Sequence, residues 1–435
     1  MKKWLSIISM GVIIASLTAC GSGESGKADQ STTKEGKTVL TLSLLESSPF
    51  YKTLEKKFEE KHPDIDLQIH ESKDYEKYRD TTNTAMLSGK GMDIIEADVL
   101  PLNEYVSKGF LLDMNDLLEQ EQTLNKDDLQ TTILDGLKVN EGVYVIPSGY
   151  SFSVFVGDGD MLGSANVKFD DQTWNLKEFE QVSKEVIQKN RGADELYALA
   201  DYPPEYLFQE MLFTNYTAFV EASAKKAKFD SPEFVDLLQQ AKKMSDDKII
   251  TSEVAKAGNQ LFYSSRIGSP TDFIEGPYTI FDNPKLLQIP QAGEAGDRTG
   301  ARVVPLSQFV INAKTPVRDE AWKFITFLLS EEAQSIQERT GFSMLKSVNE
   351  KMINDLQEKV KSGDYTLSNG EQAKVSDEQF TVFKQIVESA DQYVELDAKV
   401  LNIAREESYA FFSGQKTAEE VAKLIQNRVT TYLNE

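Results

Sequence analysis

Between Thr38 and Glu96 the apolar residues switch repeatedly between two periods, and that switching restricts the chain to one fold class. Val39, Leu40, Leu42, Leu44 and Leu45 form a largely apolar run, the mark of a buried strand. Pro49 follows at a first helical position, and Phe50, Leu54 and Phe58 then recur every four residues along one face of a helix ending near His62-Pro63. Ile65, Leu67 and Ile69 alternate as a second strand. A helix is expected over about 74–87, a turn at Gly89-Lys90-Gly91, and a third short strand at Asp93-Ile94-Ile95-Glu96. Strand, helix, strand, helix, strand argues for an α/β unit on a parallel sheet.

A second unit begins near Val143-Tyr144-Val145-Ile146-Pro147. Residues 150–156 continue as strand, which predicts a passage between units around 147–151. From 174 to about 248 the pattern is helical, with Phe179, Val182 and Val186 on one face and Pro203-Pro204 as an interruption. Glycine and proline punctuate residues 268–300. Val303, Val304, Phe309, Val310 and Ile311 read as strand, and Thr315-Pro316 opens a helix whose apolar stripe is Ala321, Phe324, Ile325, Leu328 and Leu329. Thr417-Ala418-Glu419-Glu420 is a capping box for a last helix. A chain of 435 residues exceeds one ordinary core, so two lobes are expected.

At the N-terminus Lys2 and Lys3 precede an apolar segment from Trp4 to Leu17, the layout of a secretory signal. It is shorter than the roughly 20 apolar residues that span a bilayer. The segment ends in Leu17-Thr18-Ala19-Cys20, and Cys20 is the single cysteine of the chain. Residues 21–36 are Gly, Ser, Thr and charge, a flexible tether. The Leu-Thr-Ala-Cys ending resembles the lipobox of bacterial lipoproteins. That resemblance implies a signal peptide over 1–19, a lipid on Cys20, a tether over 20–37, and a body held at the extracellular face of the cell membrane by lipid alone. A plain cleaved signal followed by a chance cysteine is the alternative. Loss of residues 1–19 would remove Lys2 and Lys3 and no acid, taking the net charge from −23 to −25. Such a charge disfavours nucleic acid and anionic headgroups as partners.

The side chains that carry chemistry are sparse. His62 and His70 are the whole imidazole supply, and neither a metal-binding His or Cys spacing nor a nucleophile elbow nor a Walker loop is present, so no metal, cofactor or catalytic residue is expected. Asp158-Gly159-Asp160 begins like a calcium loop, yet Leu162 and Phe169 fall where that loop needs ligands. A carboxylate pair suited to glycoside hydrolysis cannot be told from solvated charge among 70 acids.

Several stretches resemble the family 1 extracellular solute-binding lipoproteins of ABC importers, the group that includes maltose-binding protein. Phe58-Glu59-Glu60-Lys61-His62-Pro63-Asp64-Ile65 is similar to that family's first helix running into its second strand. Leu87 through Ile95 is similar to its "SGxxPDI" segment, with Met92 where proline is usual. Gly142 through Pro147 resembles "LYGIP", and Ala321 through Gln334 followed by Thr340-Gly341-Phe342 resembles "AWxFIxFL…Q…TG". Ser413-Gly414 and residues 417–420 resemble the closing "SGxxTxEEA". Pro270-Thr271-Asp272-Phe273 and Gly276-Pro277-Tyr278 depart from the family's usual "GxxAM…GxW".

The resemblance implies a type II periplasmic-binding-protein fold, α/β in class, with two lobes closing over one ligand. Lobe 1 is expected over 38–150 plus 300–342 and lobe 2 over 151–299 plus 343–435. Ligand contacts are expected after the first strand at Glu46, Ser47 and Ser48, after the third at Glu96 and Asp98, and beside the crossing at Tyr150 and Phe152. Glu46 also suits a helix N-terminal acid, and Asp98 a solvated loop acid. From the second lobe Tyr202, Tyr206, Tyr278 and Tyr393 are candidates, because aromatic rings stack on sugar faces. Trp174 and Trp322 read as packing residues. The implied role is a monomeric receptor passing a small polar solute, an oligosaccharide by preference, to ABC permease subunits and their ATPase. The acidic loops would equally suit a cationic or peptide ligand. A ligand-presenting sensor and a lipid-tethered secreted hydrolase are the alternatives.

Overall fold

The computed structural model describes residues 32–33, 36–190, 192, 195–221, 224–290, 301–390, 392–393 and 396–434. The expected signal peptide, Cys20 and most of the tether lie outside these residues. The described strands, in chain order, are β1 (Thr38–Leu44), β2 (Ile65–Glu71), β3 (Ile94–Glu96), β4 (Ile146–Asp158), β5 (Val220–Glu221), β6 (Lys226–Ala227), β7 (Phe262–Ile267), β8 (Pro284–Leu287), β9 (Arg302–Ile311) and β10 (Gln392–Tyr393). All except β5 and β6, which pair with each other, join one sheet along the path β2-β1-β3-β9-β4-β7. β10 adds beside β9 and β8 beside β4. β2 and β3 flank β1 in parallel, with the helices Pro49–Lys61 and Tyr75–Leu87 in the connections, as the alternating periods predict.

β4 and β9 join two halves into one molecule. Ile146 and Pro147 lie opposite Phe309 and Gln308, and the last residues of β9 pair with β3, so these ends belong to the first half. Residues 152–158 of β4 also pair with β7 and β8, in the second half. A third passage, at 340–343, runs beside β4. Tyr150 and Phe342 each donate a backbone N–H to the other's carbonyl, at 3.0 and 2.6 Å. Two glycines permit that approach. A Cβ on Gly149 would stand 2.6 Å from the Phe342 carbonyl oxygen, and Gly341 has φ +85°.

Strand alternation divides the apolar residues between cores. Phe152, Val154 and Val156 enter a large core with Leu40, Leu42, Phe324, Phe342 and Phe383, which runs from the first half onto one face of the second. Phe155 points the other way, into a core with Phe179, Phe208, Phe262 and Val421. A smaller core on the first half gathers Tyr78, Ile95, Tyr105 and Val310.

Several local expectations meet a more detailed outcome. The helical stretch from 174 to 248 contains the helices Leu176–Lys189, Pro204–Thr214, Tyr216–Phe219 and Pro232–Asp246, but the β5–β6 hairpin breaks it. Pro204 opens its helix, where a missing N–H costs nothing. The helix expected at Thr315 starts at Arg318, because the Thr315 hydroxyl donates to Asp93 Oδ1 at 2.6 Å. The Thr417–Glu420 capping box forms, with bonds of 2.8 and 3.2 Å. Asp158 accepts the N–H groups of Asp160 and Met161 and so caps the helix Gly159–Ala165. Trp174 is buried and donates to the Gln288 carbonyl, while Trp322 donates to Glu121, both at 3.0 Å.

Candidate functional site

The crossing strands make a floor between the two halves, and alternation decides what it presents. Tyr150 and Phe152 are fully buried on the face that Phe342 covers; the Phe152 and Phe342 rings stack at 5.3 Å. Ser151 and Ser153 take the opposite face. Ser153 lies opposite Arg302 of β9 on one side and Arg266 of β7 on the other, so three adjacent strands carry one polar row. Arg266 Nε donates to Ser151 Oγ at 2.6 Å. Arg302 Nη2 donates to Ser153 Oγ at 3.3 Å and to Glu210 Oε1 at 3.1 Å. Half-buried Val304 and Leu306 carry the floor toward the first half.

At the first-half end, the strand termini bring the predicted acids and serines together. Glu46 is exposed after β1, and Ser47 and Ser48 are half-buried. Ser48 begins the helix Pro49–Lys61 in extended conformation, but its side chain does not cap it. Glu96 is 7% exposed, and its Oε2 accepts the Leu45 N–H at 2.7 Å. Burial pushes the Glu96 carboxyl up to about 7, with the Asp98 charge adding to the rise and the Leu45 N–H and Ser307 hydroxyl opposing it. Asp98 reaches solvent, yet desolvation by its surroundings raises it as well, against hydrogen bonds from Gln308 N and Nε2 at 2.8 and 3.4 Å. Ser307 itself has φ +45°, a strained setting for a residue bearing a Cβ. Burial also raises the Tyr51 hydroxyl strongly, with Glu96 adding to the rise, while its hydrogen bond to Ser307 opposes it.

At the second-half end, the helix Pro204–Thr214 supplies a wall. Tyr206 is 54% exposed and meets half-buried Tyr202 edge to face, with ring centroids 6.1 Å apart. Glu210 lies one turn along that helix from Tyr206, and the Arg302 guanidinium lies 5.9 Å from the Phe213 ring. Burial raises the Tyr202 hydroxyl, and the Glu210 charge adds to the rise.

The predicted residues therefore divide into two sets. Glu46, Ser47, Ser48, Glu96, Asp98, Tyr202 and Tyr206 stand at the two ends of the floor. Tyr150, Phe152, Tyr278 and Tyr393 do not join them. Tyr278 is 8% exposed and packs edge to face on Phe273 in the large core, and Tyr393, beside Val303 in β10, packs on that same core. Sequence reading missed Ser151, Ser153, Glu210, Phe213, Arg266 and Arg302. The usable signal was the parity of β4, where Ser151 and Ser153 interrupt an otherwise apolar face. Among the described residues no group of three or more His, Cys, Asp or Glu is placed to hold a metal ion, and no helix is long and apolar enough to cross a membrane.

Acids, hydroxyls, arginines and tyrosines lie along the crossing strands of a two-lobed α/β sheet, an arrangement suited to a small polar solute. The chain belongs to the bacterial extracellular solute-binding proteins, whose family profile matches residues 53–363. Solved structures share its fold at low identity. The sugar-binding protein MalE from the phytopathogen Xanthomonas citri has TM-score 0.65 at 15% identity, covering 91% of this chain and 98% of that one. A family 1 extracellular solute-binding protein from Alicyclobacillus acidocaldarius has TM-score 0.63 at 16% identity, covering 93% and 100%. The ABC substrate-binding protein Lmo0181 from Listeria monocytogenes, in complex with cycloalternan, has TM-score 0.60 at 14% identity, covering 92% and 99%. No curated protein matches the chain.

Proposed function

We propose that this chain is a lipid-anchored receptor of an ABC importer that captures an oligosaccharide between its two lobes and delivers it to membrane permease subunits. The observation that carries the reading is the floor itself: one continuous pair of strands that carries the polar row Arg302, Ser153 and Arg266 and whose ends present side chains from opposite lobes. A ligand that touches both ends is held better when the lobes approach, so binding favours closure. The sugar-binding structural relatives support an oligosaccharide as cargo. The ligand contacts in this reading are Glu46, Ser47, Ser48, Asp98, Tyr202 and Tyr206 together with Ser151, Arg266 and Arg302. The lobe division at 38–150 plus 300–342 and 151–299 plus 343–435 belongs to the same reading, as does anchoring through Cys20 after removal of residues 1–19.

Thermal melts of the purified protein against panels of oligosaccharides, peptides and polyamines test the reading. A true ligand at a hundredfold excess over its Kd adds about 2.7 kcal/mol and raises the Tm visibly. Hits confined to saccharides, recovered unaltered, support it; hits confined to peptides or polyamines, or a consumed saccharide, overturn the cargo or the receptor role. Labelling cells with an alkyne fatty acid tests the anchor, which requires label on the wild type and none on Cys20→Ala.

A further inference from the structure

The row Arg302, Ser153, Arg266 carries more positive charge than its surroundings answer. Two guanidinium groups sit on strands either side of β4, about 10 Å apart at the backbone given ordinary strand spacing. Among the described residues Glu210 is the one carboxylate that pairs with either guanidinium, and it takes Arg302. Arg302 Nε is buried without an acceptor among the described residues. Arg266 is exposed, and its Nε donates to the Ser151 hydroxyl. Desolvation and the neighbouring Arg302 charge both disfavour the Arg266 cation as the protein stands. This occurs in a chain of net charge −23, where acids to neutralise an arginine are plentiful. An arginine with no carboxylate partner among the described residues, at the floor of the cleft, has the donor set for an oxyanion from outside. Its planar fork matches a carboxylate with two parallel bonds.

We propose that the captured solute is an acidic saccharide whose carboxylate docks on Arg266 at the second-lobe end of the floor, with its hydroxyls directed to the acids of the first lobe. The inference rests on the solute-binding reading above and narrows it. Glu46 and Asp98 accept from neutral sugar hydroxyls, and their distance along the floor separates them from the bound anion. Tyr206, exposed one helical turn from the Glu210 that bonds Arg302, offers the ring face for the sugar carrying the carboxylate.

The test is calorimetric titration of the full chain, purified in detergent, with a di- or trigalacturonate, a sulfated disaccharide and neutral maltotriose. Wild type, Arg266→Gln and Arg266→Lys are compared, with melts to confirm that each variant is folded. The expected result is uronate binding that weakens about 10- to 100-fold in Arg266→Gln. Partial loss is expected in Arg266→Lys, which keeps the charge and lacks the fork. Binding of the sulfated sugar alone, with the same Arg266 dependence, replaces the carboxylate by another oxyanion and overturns the uronate assignment. Uronate binding indifferent to Arg266, or maltotriose bound as tightly as uronate, overturns the proposal and leaves the saccharide receptor standing. No binding of any of the three by folded wild type overturns the proposal together with the saccharide reading.

Discussion

At the scale of single residues, the buried carboxyl of Glu96 and the Arg302–Glu210 pair have the sharpest consequences. Glu96 has its carboxyl raised from 4.5 to about 7, so the folded protein holds the proton more tightly than the unfolded chain. Its contribution to stability is complete below about pH 4.5 and is lost as the pH rises through 7. Glu96→Gln keeps an acceptor for the Leu45 N–H and cannot ionise. Melts at pH 5 and pH 8 should show the variant gaining on the wild type by up to about 3 kcal/mol at the higher pH; a difference that stays constant across that range refutes the raised carboxyl. Arg302 and Glu210 are 14% and 15% exposed, and removing one partner strands a charge. Glu210→Gln should cost about 3 kcal/mol in urea unfolding, and adding Arg302→Met should recover part of it. Strictly additive losses would mean the pair is not coupled. Glu96 and Tyr206 could be singled out in the sequence as candidates because strand ends and aromatic rings announce themselves. Arg266 and Arg302 were not, since a lone arginine in a polar stretch says nothing about which strand lies beside it.

At the scale of elements, the stretch from Thr38 to Glu96 was legible down to its turns, while the short helices between 102 and 136 were not read. Leu40, Leu42 and Leu44 specify a buried strand, and Phe50, Leu54 and Phe58 a helix face, by local periodicity alone. The crossing was harder to read. β4 is buried on both faces for nearly its whole length, so apart from Ser151 and Ser153 no polar alternation marks which side chains face the polar row. Tyr150 and Phe152 looked like ligand contacts, and the register turns them onto the covered face. The passage at 340–343 depends on contacts nearly two hundred residues distant in sequence, which no local pattern carries. Gly341 makes that passage testable. It holds φ +85°, and a Cβ there would stand 2.9 Å from the Tyr150 carbonyl and closer still to Leu306. Gly341→Ala should therefore destabilise the chain by about 2–4 kcal/mol, combining left-handed strain with a clash against backbone that cannot swing away. A loss under about 0.5 kcal/mol in urea unfolding would show that the passage is not held tightly against β4.

For the whole molecule, the proposed capture raises the question of how two lobes that share a sheet would close on a ligand. The hydrogen bonds of β4 with β9 run unbroken across both halves except beside Ser307, so closure cannot come from one lobe detaching from the other. Bending or twisting must be spread over the three passages, near 149–151, 304–306 and 340–342, where glycine at 149 and 341 and the left-handed Ser307 mark the least regular backbone. A ligand drives such a change only through its preference for the closed arrangement, and taking a population from 1:99 to 99:1 needs about a 10⁴-fold preference. One cysteine in the sequence makes this measurable: in a Cys20→Ser background, Leu87→Cys and Val254→Cys place dyes on exposed sites of opposite halves, 61% and 79% accessible in the wild type. Energy transfer between them should rise on adding a saccharide that also raises the Tm, and should saturate at the same concentration. A ligand that raises the Tm while leaving the transfer unchanged would mean that the halves form a rigid pocket. The differential contact of two walls would then no longer explain capture, and the proposed delivery to a permease would have to rest on something other than lobe closure.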